Sequence, residues 1–327
     1  MITVSHLRKT YRTPTKEEGA AGMIKNIFAR KYKDIEAVQD ISFEIQQGEL
    51  VGFVGPNGAG KTTTMKMLAG ILYPTSGELS VLGYTPFEKN HHYLKQISFI
   101  MGQKNQMLWE LPASDTFKLN KTIYEVPDDE YVQTLGELTE MLDAKDVIDQ
   151  PVKTLSLGQR MKVELISTLI HKPKVLFLDE PTIGLDVVAQ KNIRDFIQQY
   201  QSHYKATILL TSHYMEDVRR LANRVIIIDH GALLYDGDIE KLIKKYARTK
   251  SVEIVVDDMP NTVTLEKNWF SRVNRLSKNP LSCATKKMFQ SLLQQSLNTF
   301  PLSTLQLKKK KLKTLFAQFS KKSSVKV

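Results

Sequence analysis

The sequence predicts an α/β fold whose core is a parallel β-sheet. Two short, largely apolar runs, residues 50–54 and 174–178, have the length and continuity of strands that are buried on both faces of such a sheet. The first leads through a glycine-rich loop into a segment with helical spacing, and the second ends in charged residues. Because strands and helices alternate over residues 1–240, the pattern is typical of parallel α/β proteins.

The other segments extend this core. Strands are predicted from Ile2, over 41–45 and over 77–83, and an antiparallel part is expected beside the parallel core. Residues 112–150 form polar amphipathic helices without a strand among them, which indicates an inserted α-helical subdomain over about 104–170. Further strands are predicted at 97–101, 207–210, 225–228 and 251–256, helices at 161–170, 187–200 and 215–221, and a hairpin at 231–237.

Residues 12–35 interrupt the first sheet. Met23, Ile24, Ile27 and Phe28 stand at helical spacing among basic residues, so a short basic amphipathic helix is predicted on a loop. One interpretation is a helix packed on the domain surface. The other is contact with a membrane surface or a membrane subunit.

Composition limits the class of protein. The single cysteine, Cys283, excludes an internal disulfide and a multi-cysteine metal site, which fits a reducing, cytoplasmic location. No apolar run approaches the roughly 18–20 residues of a membrane-spanning helix, and the first residues lack a signal-peptide core.

Positive charge is concentrated at the C-terminal end. Residues 250–327 hold 15 of the 46 Lys and Arg residues but 4 of the 35 Asp and Glu residues, so residues 1–249 are neutral overall with 31 of each. This distribution weakens the case for nucleic-acid binding by the main domain. We expect a nucleotide-binding domain at 1–240 and a basic C-terminal extension at 241–327. The extension has three interpretations: a solvated tail, a partly folded accessory domain, or a contact for anionic lipid or nucleic acid.

The loop after the first apolar strand carries the strongest chemical signal. Residues 55–62 read GPNGAGKT, which is the spacing G-x-x-x-x-G-K-[ST] between a strand and a helix. Glycines allow backbone N–H groups to point inward, and the helix N-terminus adds roughly half a positive charge. A Lys reaches the β- and γ-phosphates and a Thr hydroxyl serves Mg²⁺. The predicted ligand contacts are Gly55, Asn57, Gly58, Ala59, Gly60, Lys61, Thr62 and Thr63.

Two adjacent carboxylates end the second apolar strand. Asp179 and Glu180 follow four apolar residues, and carboxylates at the end of a buried strand are costly unless a cation is bound there. The carboxyl ends of parallel strands face the ligand crevice. Asp179 is therefore predicted to act through Mg²⁺, and Glu180 is predicted to be the general base for water. A surface Asp-Glu turn is the weaker alternative.

Together these motifs resemble the nucleotide-binding subunit of an ATP-binding cassette (ABC) transporter. The resemblance covers residues 1 to about 240 and includes the family's signature, here Leu155-Ser156-Leu157-Gly158-Gln159. It implies a phosphate-loop NTPase (RecA-like) fold that binds and hydrolyses ATP with Mg²⁺. It also implies a glutamine, Gln103, that helps to hold Mg²⁺ and water, a switch histidine, His213, and an aspartate, Asp186, in the D-loop at 183–186. Tyr11 is the implied adenine-stacking residue, with Tyr32 as its competitor.

The signature has a physical interpretation as well. Ser156 and Gly158 stand at the start of a helix, whose end offers donors to phosphate, and Ser156 also suits an N-cap. In the family this helix end, with Gln159, faces the γ-phosphate that a second cassette holds, so two ATP molecules lie between head-to-tail cassettes. Leu157 departs from the family's usual glycine, which puts the backbone geometry in question.

The resemblance also implies partners. A second cassette, as a homodimer or heterodimer, and transmembrane permease subunits are expected, with the protein peripheral on the inner face of the cell membrane. Residues 102–109 and the insertion at 12–35 resemble multidrug- and polysaccharide-type exporters, and Trp109 and Leu111 are candidate membrane-subunit contacts. The alternatives are an importer subunit, or an ABC ATPase that acts on ribosomes or DNA, although nucleic acid is disfavoured as a partner.

Overall fold

The computed structural model describes residues 1–14, 32–102, 106–212, 215–246, 250–256 and 302–309. The chain divides into two compact units, Met1–Ile239 and Glu240–Val327. None of the helices in the described part is long and apolar enough to cross a membrane. The predicted helix at residues 23–28 lies outside the described residues.

A six-stranded sheet forms the centre of the first unit. Its strands are β3 Leu50–Val54, β5 Ile97–Met101, β6 Val175–Asp179, β7 Thr207–Thr211, β8 Arg224–Asp229 and β9 Ala232–Asp238. They lie in the order β5-β6-β7-β3-β8-β9. The first five strands in this order run parallel, and β9 pairs antiparallel with β8. The predicted parallel core is confirmed.

A smaller antiparallel sheet lies beside this core. Its strands are β1 Ile2–Pro14, β2 Tyr32–Ile45 and β4 Ser76–Val81, and they lie in the order β2-β1-β4. The sequence-based prediction that residues 12–35 interrupt the sheet is wrong at both ends, because residues 12–14 and 32–35 pair as strand in the β1–β2 hairpin. All residues of these outer arms are exposed. They therefore show no polar–apolar alternation, which is the pattern that indicates a strand in a sequence.

Helices connect the strands and cover the main sheet. They are α1 Lys61–Leu68, α2 His91–Leu94, α3 Ala113–Ile123, α4 Asp128–Met141, α5 Leu157–Leu169, α6 Val187–Tyr204 and α7 Met215–Leu221. Short 3₁₀ turns stand at Pro86–Glu88 and Val152–Thr154. The helices predicted between residues 112 and 150 are confirmed as α3 and α4, which pack on α5.

The main sheet is buried on both faces. Leu176 and Leu178 of β6 belong to a core cluster with the helical residues Phe117, Leu138 and Phe196. The intervening Val175 and Phe177 belong to a second cluster, which contains Met65 of α1 and residues of the antiparallel sheet. Alternate residues of one strand therefore enter two cores, and this explains its continuous apolar sequence.

The second unit contains a two-stranded antiparallel sheet. Strand β10 (Lys250–Val256) pairs with β11 (Leu302–Lys309), and helix α8 (Ile239–Tyr246) precedes them across the unit boundary. Strand β10 was expected from its sequence, but β11 was not. Its apolar residues, Leu302, Leu305 and Leu307, do not alternate strictly with polar residues, so the sequence gives only a weak strand pattern there.

Candidate nucleotide site

The phosphate loop joins β3 to α1. Gly60 is the N-cap of α1 and has a φ of 102°, a left-handed value that suits glycine. A Cβ atom at Gly60 would lie 2.4 Å from the carbonyl oxygen of Ala37 in β2. A glycine is therefore required both by the backbone conformation and by the approach of β2. The end of the loop at Gly60 packs against β2 of the antiparallel sheet, while residues 56–58 are exposed to solvent.

Lys61 is held inside this loop. Its side chain is only 6% exposed, and its Nζ atom donates to the carbonyl oxygens of Gly55 at 2.9 Å and Pro56 at 3.0 Å. Burial lowers the pKa of Lys61, while the charges of Glu180 and Asp179 raise it in part. The ammonium group is thus oriented by the loop and lies in the field of the two predicted catalytic carboxylates.

Thr62 and Asp179 meet directly. The Thr62 hydroxyl donates to Asp179 Oδ2 at 2.7 Å, and the Thr211 hydroxyl donates to Asp179 Oδ1 at 2.7 Å. Within the described residues, no group of three or more His, Cys, Asp or Glu side chains could hold a metal by itself. A hydroxyl beside one carboxylate nevertheless fits Mg²⁺, which takes one or two protein oxygens and completes its shell with water and phosphate.

Glu180 stands on a constrained turn. Its φ of 57° is left-handed, which is uncommon for a residue with a side chain. Its backbone N–H donates to the Thr211 hydroxyl at 3.0 Å and approaches the Thr211 carbonyl oxygen at 3.2 Å. On the other side, the Gly102 N–H donates to the Asp179 carbonyl oxygen at 2.9 Å. The ends of β5 and β7 therefore hold this turn between them.

The signature begins helix α5. Ser156 is the N-cap, and it forms a capping box with Gln159 through bonds of 3.3 Å and 2.9 Å. Leu157 is the first helical residue and is not among the residues with positive φ. The departure from glycine at this position therefore causes no backbone strain. Among the described residues, no hydrogen bond joins residues 156–159 to the phosphate loop.

Asp186 caps the next helix. Its Oδ1 atom accepts from the backbone N–H groups of Val188 and Ala189, both at 2.9 Å, at the start of α6. A Cβ atom at Gly158 would lie 3.1 Å from the Cβ of Ala189. The starts of α5 and α6, which carry the predicted signature and D-loop residues, are thus neighbours on one side of the molecule.

The two candidate tyrosines differ in their distance from the phosphate loop. Tyr11 in β1 pairs with Ile35, and Tyr32 pairs with Pro14. Ala37, which touches Gly60, is two residues from Ile35 but five from Tyr32, or about 7 Å and 17 Å along the strand. Both tyrosines are partly exposed and lie beside a cation, Lys9 for Tyr11 and Arg12 for Tyr32. The register therefore places Tyr11 nearer the loop.

The structure thus brings together the phosphate loop, Thr62, Asp179 and Glu180, and separately the starts of α5 and α6. Gln103 and His213, the predicted glutamine and switch histidine, lie outside the described residues. Sequence reasoning missed Thr211, which contacts both Asp179 and Glu180. The sequence offered one indication of this role, which is that Thr211 directly follows the predicted strand at 207–210.

Comparison with known proteins agrees with this geometry. The profile described as "ABC transporter" matches residues 38–183. The chain is 34% identical over 215 residues to the ABC transporter ATP-binding protein NatA of Bacillus subtilis, covering 66% of this chain and 87% of that protein. It is 32% identical to the Nod factor export ATP-binding protein I of Ralstonia nicotianae, covering 72% and 73%.

A solved structure shares the fold. It is the dimeric post-hydrolysis state of the ATP-binding cassette MJ0796 bound to ADP and Pi, with a TM-score of 0.60, 20% identity, and coverage of 73% of this chain and 99% of that chain. The fold and the site thus define a phosphate-loop NTPase. The chain belongs to the ABC transporter family and carries its ATP-binding cassette.

Proposed function

We propose that this protein is the ATP-hydrolysing motor subunit of an ABC membrane exporter. The observation that carries the proposal is the convergence of Lys61, Thr62 and Asp179 beside the constrained turn of Glu180. It unites a phosphate-binding loop, an oxygen pair suited to Mg²⁺ and a carboxylate that can accept a proton from water. Residues 1–240 would form the cassette, with the helical subdomain over about 104–170, and residues 241–327 the extension.

The chain's own residues supply binding and proton transfer. The N–H groups at the start of α1 and the ammonium of Lys61 bind the phosphates, because both offer positive charge at one point. Thr62 and Asp179, with Gln103 by resemblance, would hold Mg²⁺, which neutralises phosphate charge when it is bound. Glu180 orients a water molecule and accepts its proton. His213 would assist at the γ-phosphate, and Tyr11 would stack on adenine.

A second cassette is proposed to complete each site. The capped start of α5, with Ser156, Gly158 and Gln159, has no hydrogen bond to the phosphate loop of its own described chain. Val187 and Val188, beside Asp186, are 78% and 68% exposed. Exposed apolar residues next to a helix N-terminus suit a contact with another copy, whose γ-phosphate this helix end would face. ATP would then stabilise the closed pair, and hydrolysis would release it.

Membrane subunits are proposed to bind beside β5. A groove of about 400 Å³ lies there, and its lining includes the exposed apolar residues Ile71, Leu94 and Ile123. Trp109 and Leu111, which follow the groove residue Gln106 closely in the sequence, are 46% and 44% exposed. Arg160, one residue beyond the signature, lies 5.6 Å from the Trp109 ring. This contact would link a docked membrane helix to the start of α5. The name of the Nod factor export relative favours export.

The central test is Glu180→Gln. We expect ATP binding to persist and turnover to fall by about 10²–10⁴. An ATP-bound dimer should accumulate in size-exclusion chromatography. Glu78→Gln, at an exposed glutamate of β4, is the matched control and should hydrolyse like the parent. Parental turnover in Glu180→Gln would remove this residue from the mechanism. A specific activity that stays constant on dilution would argue against the paired sites.

A further inference from the structure

A buried carboxylate outside the nucleotide site accepts hydrogen bonds from side chains in three separate segments of the chain. Asp217 of α7 is 1% exposed. Its Oδ1 atom accepts from Arg194 Nη1 of α6 at 2.6 Å. Its Oδ2 atom accepts from the hydroxyls of Thr182 at 2.5 Å and Ser212 at 3.0 Å. Thr182 lies two residues after Glu180, and Ser212 directly follows β7.

The surroundings hold Asp217 firmly in place. The next residue, Val218, packs on β3, where a Cβ atom at Gly52 would lie 2.2 Å from Val218 Cγ1. Helix α7 therefore packs closely on β3, at a position where a side chain larger than that of glycine would clash with Val218. Arg194 is also buried, at 7% exposure, and a buried ion pair is costly to break from one side. The carboxylate is consequently a rigid anchor, with one oxygen used by Arg194 and the other turned towards the two hydroxyls.

This anchor holds the Glu180 turn from its far end. Thr211 fixes the near end through Asp179 and the Glu180 N–H group. Thr182 fixes the far end through Asp217. Glu180 lies between these two attachments in a left-handed conformation that an unrestrained glutamate would leave. Since Thr211 and Ser212 are consecutive, both attachments depend on the end of β7.

We propose that Asp217 is a positioning residue for ATP hydrolysis, which acts by holding the Glu180 turn through Thr182. This inference rests on the proposed role of Glu180 as general base. Thr182 and Asp217 contact neither nucleotide nor water in this scheme. They set the position of the Glu180 carboxylate, and a displacement of about 1 Å at a reacting group can cost a hundredfold in rate.

Thr182→Val tests the link without disturbing the ion pair of Asp217 with Arg194. Valine keeps the shape of threonine and removes the hydroxyl. We expect kcat to fall about 10- to 100-fold on positional grounds, with the nucleotide dissociation constant nearly unchanged. Thr182→Ser keeps the hydroxyl and should restore most of the activity. Thr134→Val is the matched control, because it also removes a fully buried hydroxyl, bonded to the Glu130 carbonyl oxygen at 2.7 Å in α4.

Combination with Glu180→Gln separates positioning from general loosening of the fold. If Thr182 acts through Glu180, adding Thr182→Val to Glu180→Gln should leave the residual rate nearly unchanged, because residues that act as a unit are not additive. Asp217→Asn should likewise add little to the kcat loss of Thr182→Val. The thermal midpoint of Thr182→Val should lie somewhat below that of Thr134→Val, because its lost hydrogen bond is to a carboxylate, and Thr182→Ser should regain that difference.

Several outcomes would overturn the inference. One is parental kcat in Thr182→Val when Glu180→Gln is inactive. Another is a Thr182→Val effect that multiplies in the Glu180→Gln background, and a third is failure of Thr182→Ser to restore activity. Parental turnover in Glu180→Gln itself would overturn the proposed function and this inference together, so the two failures are distinguishable.

Discussion

Replacing Gly102 by alanine should slow hydrolysis while leaving nucleotide binding nearly intact. Gly102 follows β5, and its N–H group donates to the Asp179 carbonyl oxygen. A Cβ atom at this position would lie 2.2 Å from the carbonyl oxygen of Glu180 and 3.3 Å from Ile183 Cγ2. The φ of Gly102 is outside the left-handed region, so alanine meets no conformational penalty there. The perturbation is therefore a steric push on the backbone of the Glu180 turn.

The magnitude follows from that contact. An ordinary van der Waals contact for a Cβ atom begins near 3.4 Å, so the Glu180 carbonyl must retreat by about 1 Å. The turn is held by Thr211 and Thr182, so the displacement cannot spread far along the chain. A shift of this size at the general base should reduce kcat by about 10². The phosphate loop, on the other side of the site, keeps its contacts.

Steady-state ATPase assays and nucleotide titrations measure the two quantities separately. Gly136→Ala supplies the matched control, because no heavy atom lies within 4 Å of a Cβ built at this exposed position of α4. The control should hydrolyse ATP like the parent. Its free energy of unfolding should be about 0.5–1 kcal/mol higher, because alanine favours a helix more than glycine does. Turnover in Gly102→Ala close to that of the parent would refute the view that the Glu180 turn needs its present position.

Three further predictions concern other parts of the cassette. Burial raises the pKa of Glu164 to about 7, so the free energy of unfolding of the wild type should fall as the pH rises from about 4.5 to 7. The Glu164→Gln variant should avoid this loss, which reaches about 3 kcal/mol at pH 8. Thermal melts of both proteins at pH 5 and pH 8 measure the difference, and equal changes in their thermal midpoints would contradict the prediction. Thr211→Val should raise the Mg²⁺ concentration that gives half-maximal hydrolysis about tenfold, because Thr211 orients Asp179. An unchanged Mg²⁺ titration would show that Asp179 does not need the Thr211 hydroxyl. Removal of residues 247–327 should leave basal hydrolysis largely unchanged, and loss of nucleotide binding would show that the extension completes the domain.

Much of the fold followed from local patterns. Strands β3, β6 and β7 are short, largely apolar runs, and these runs were visible because both faces of the central sheet are buried. The phosphate loop was equally predictable from the sequence, because its glycines, lysine and threonine lie within eight consecutive residues. Family membership, which rests on these motifs and on the comparisons, was predictable from the sequence for the same reason.

Side-chain partners that are distant in sequence could not be predicted in this way. The hydroxyl of Thr211 meets Asp179 because β7 lies next to β6, and Asp217 meets Thr182 because α7 packs on β3. The outer β1–β2 arms depend on pairing between two exposed segments, 11–14 and 32–35, and the burial of Glu164 depends on the elements packed around α5. The sequence alone determined the strands, the helices and the phosphate loop, because their signals lie within one segment. The tertiary structure alone decided which groups hold Glu180, because strand order and helix packing bring together residues that are 30 or more positions apart.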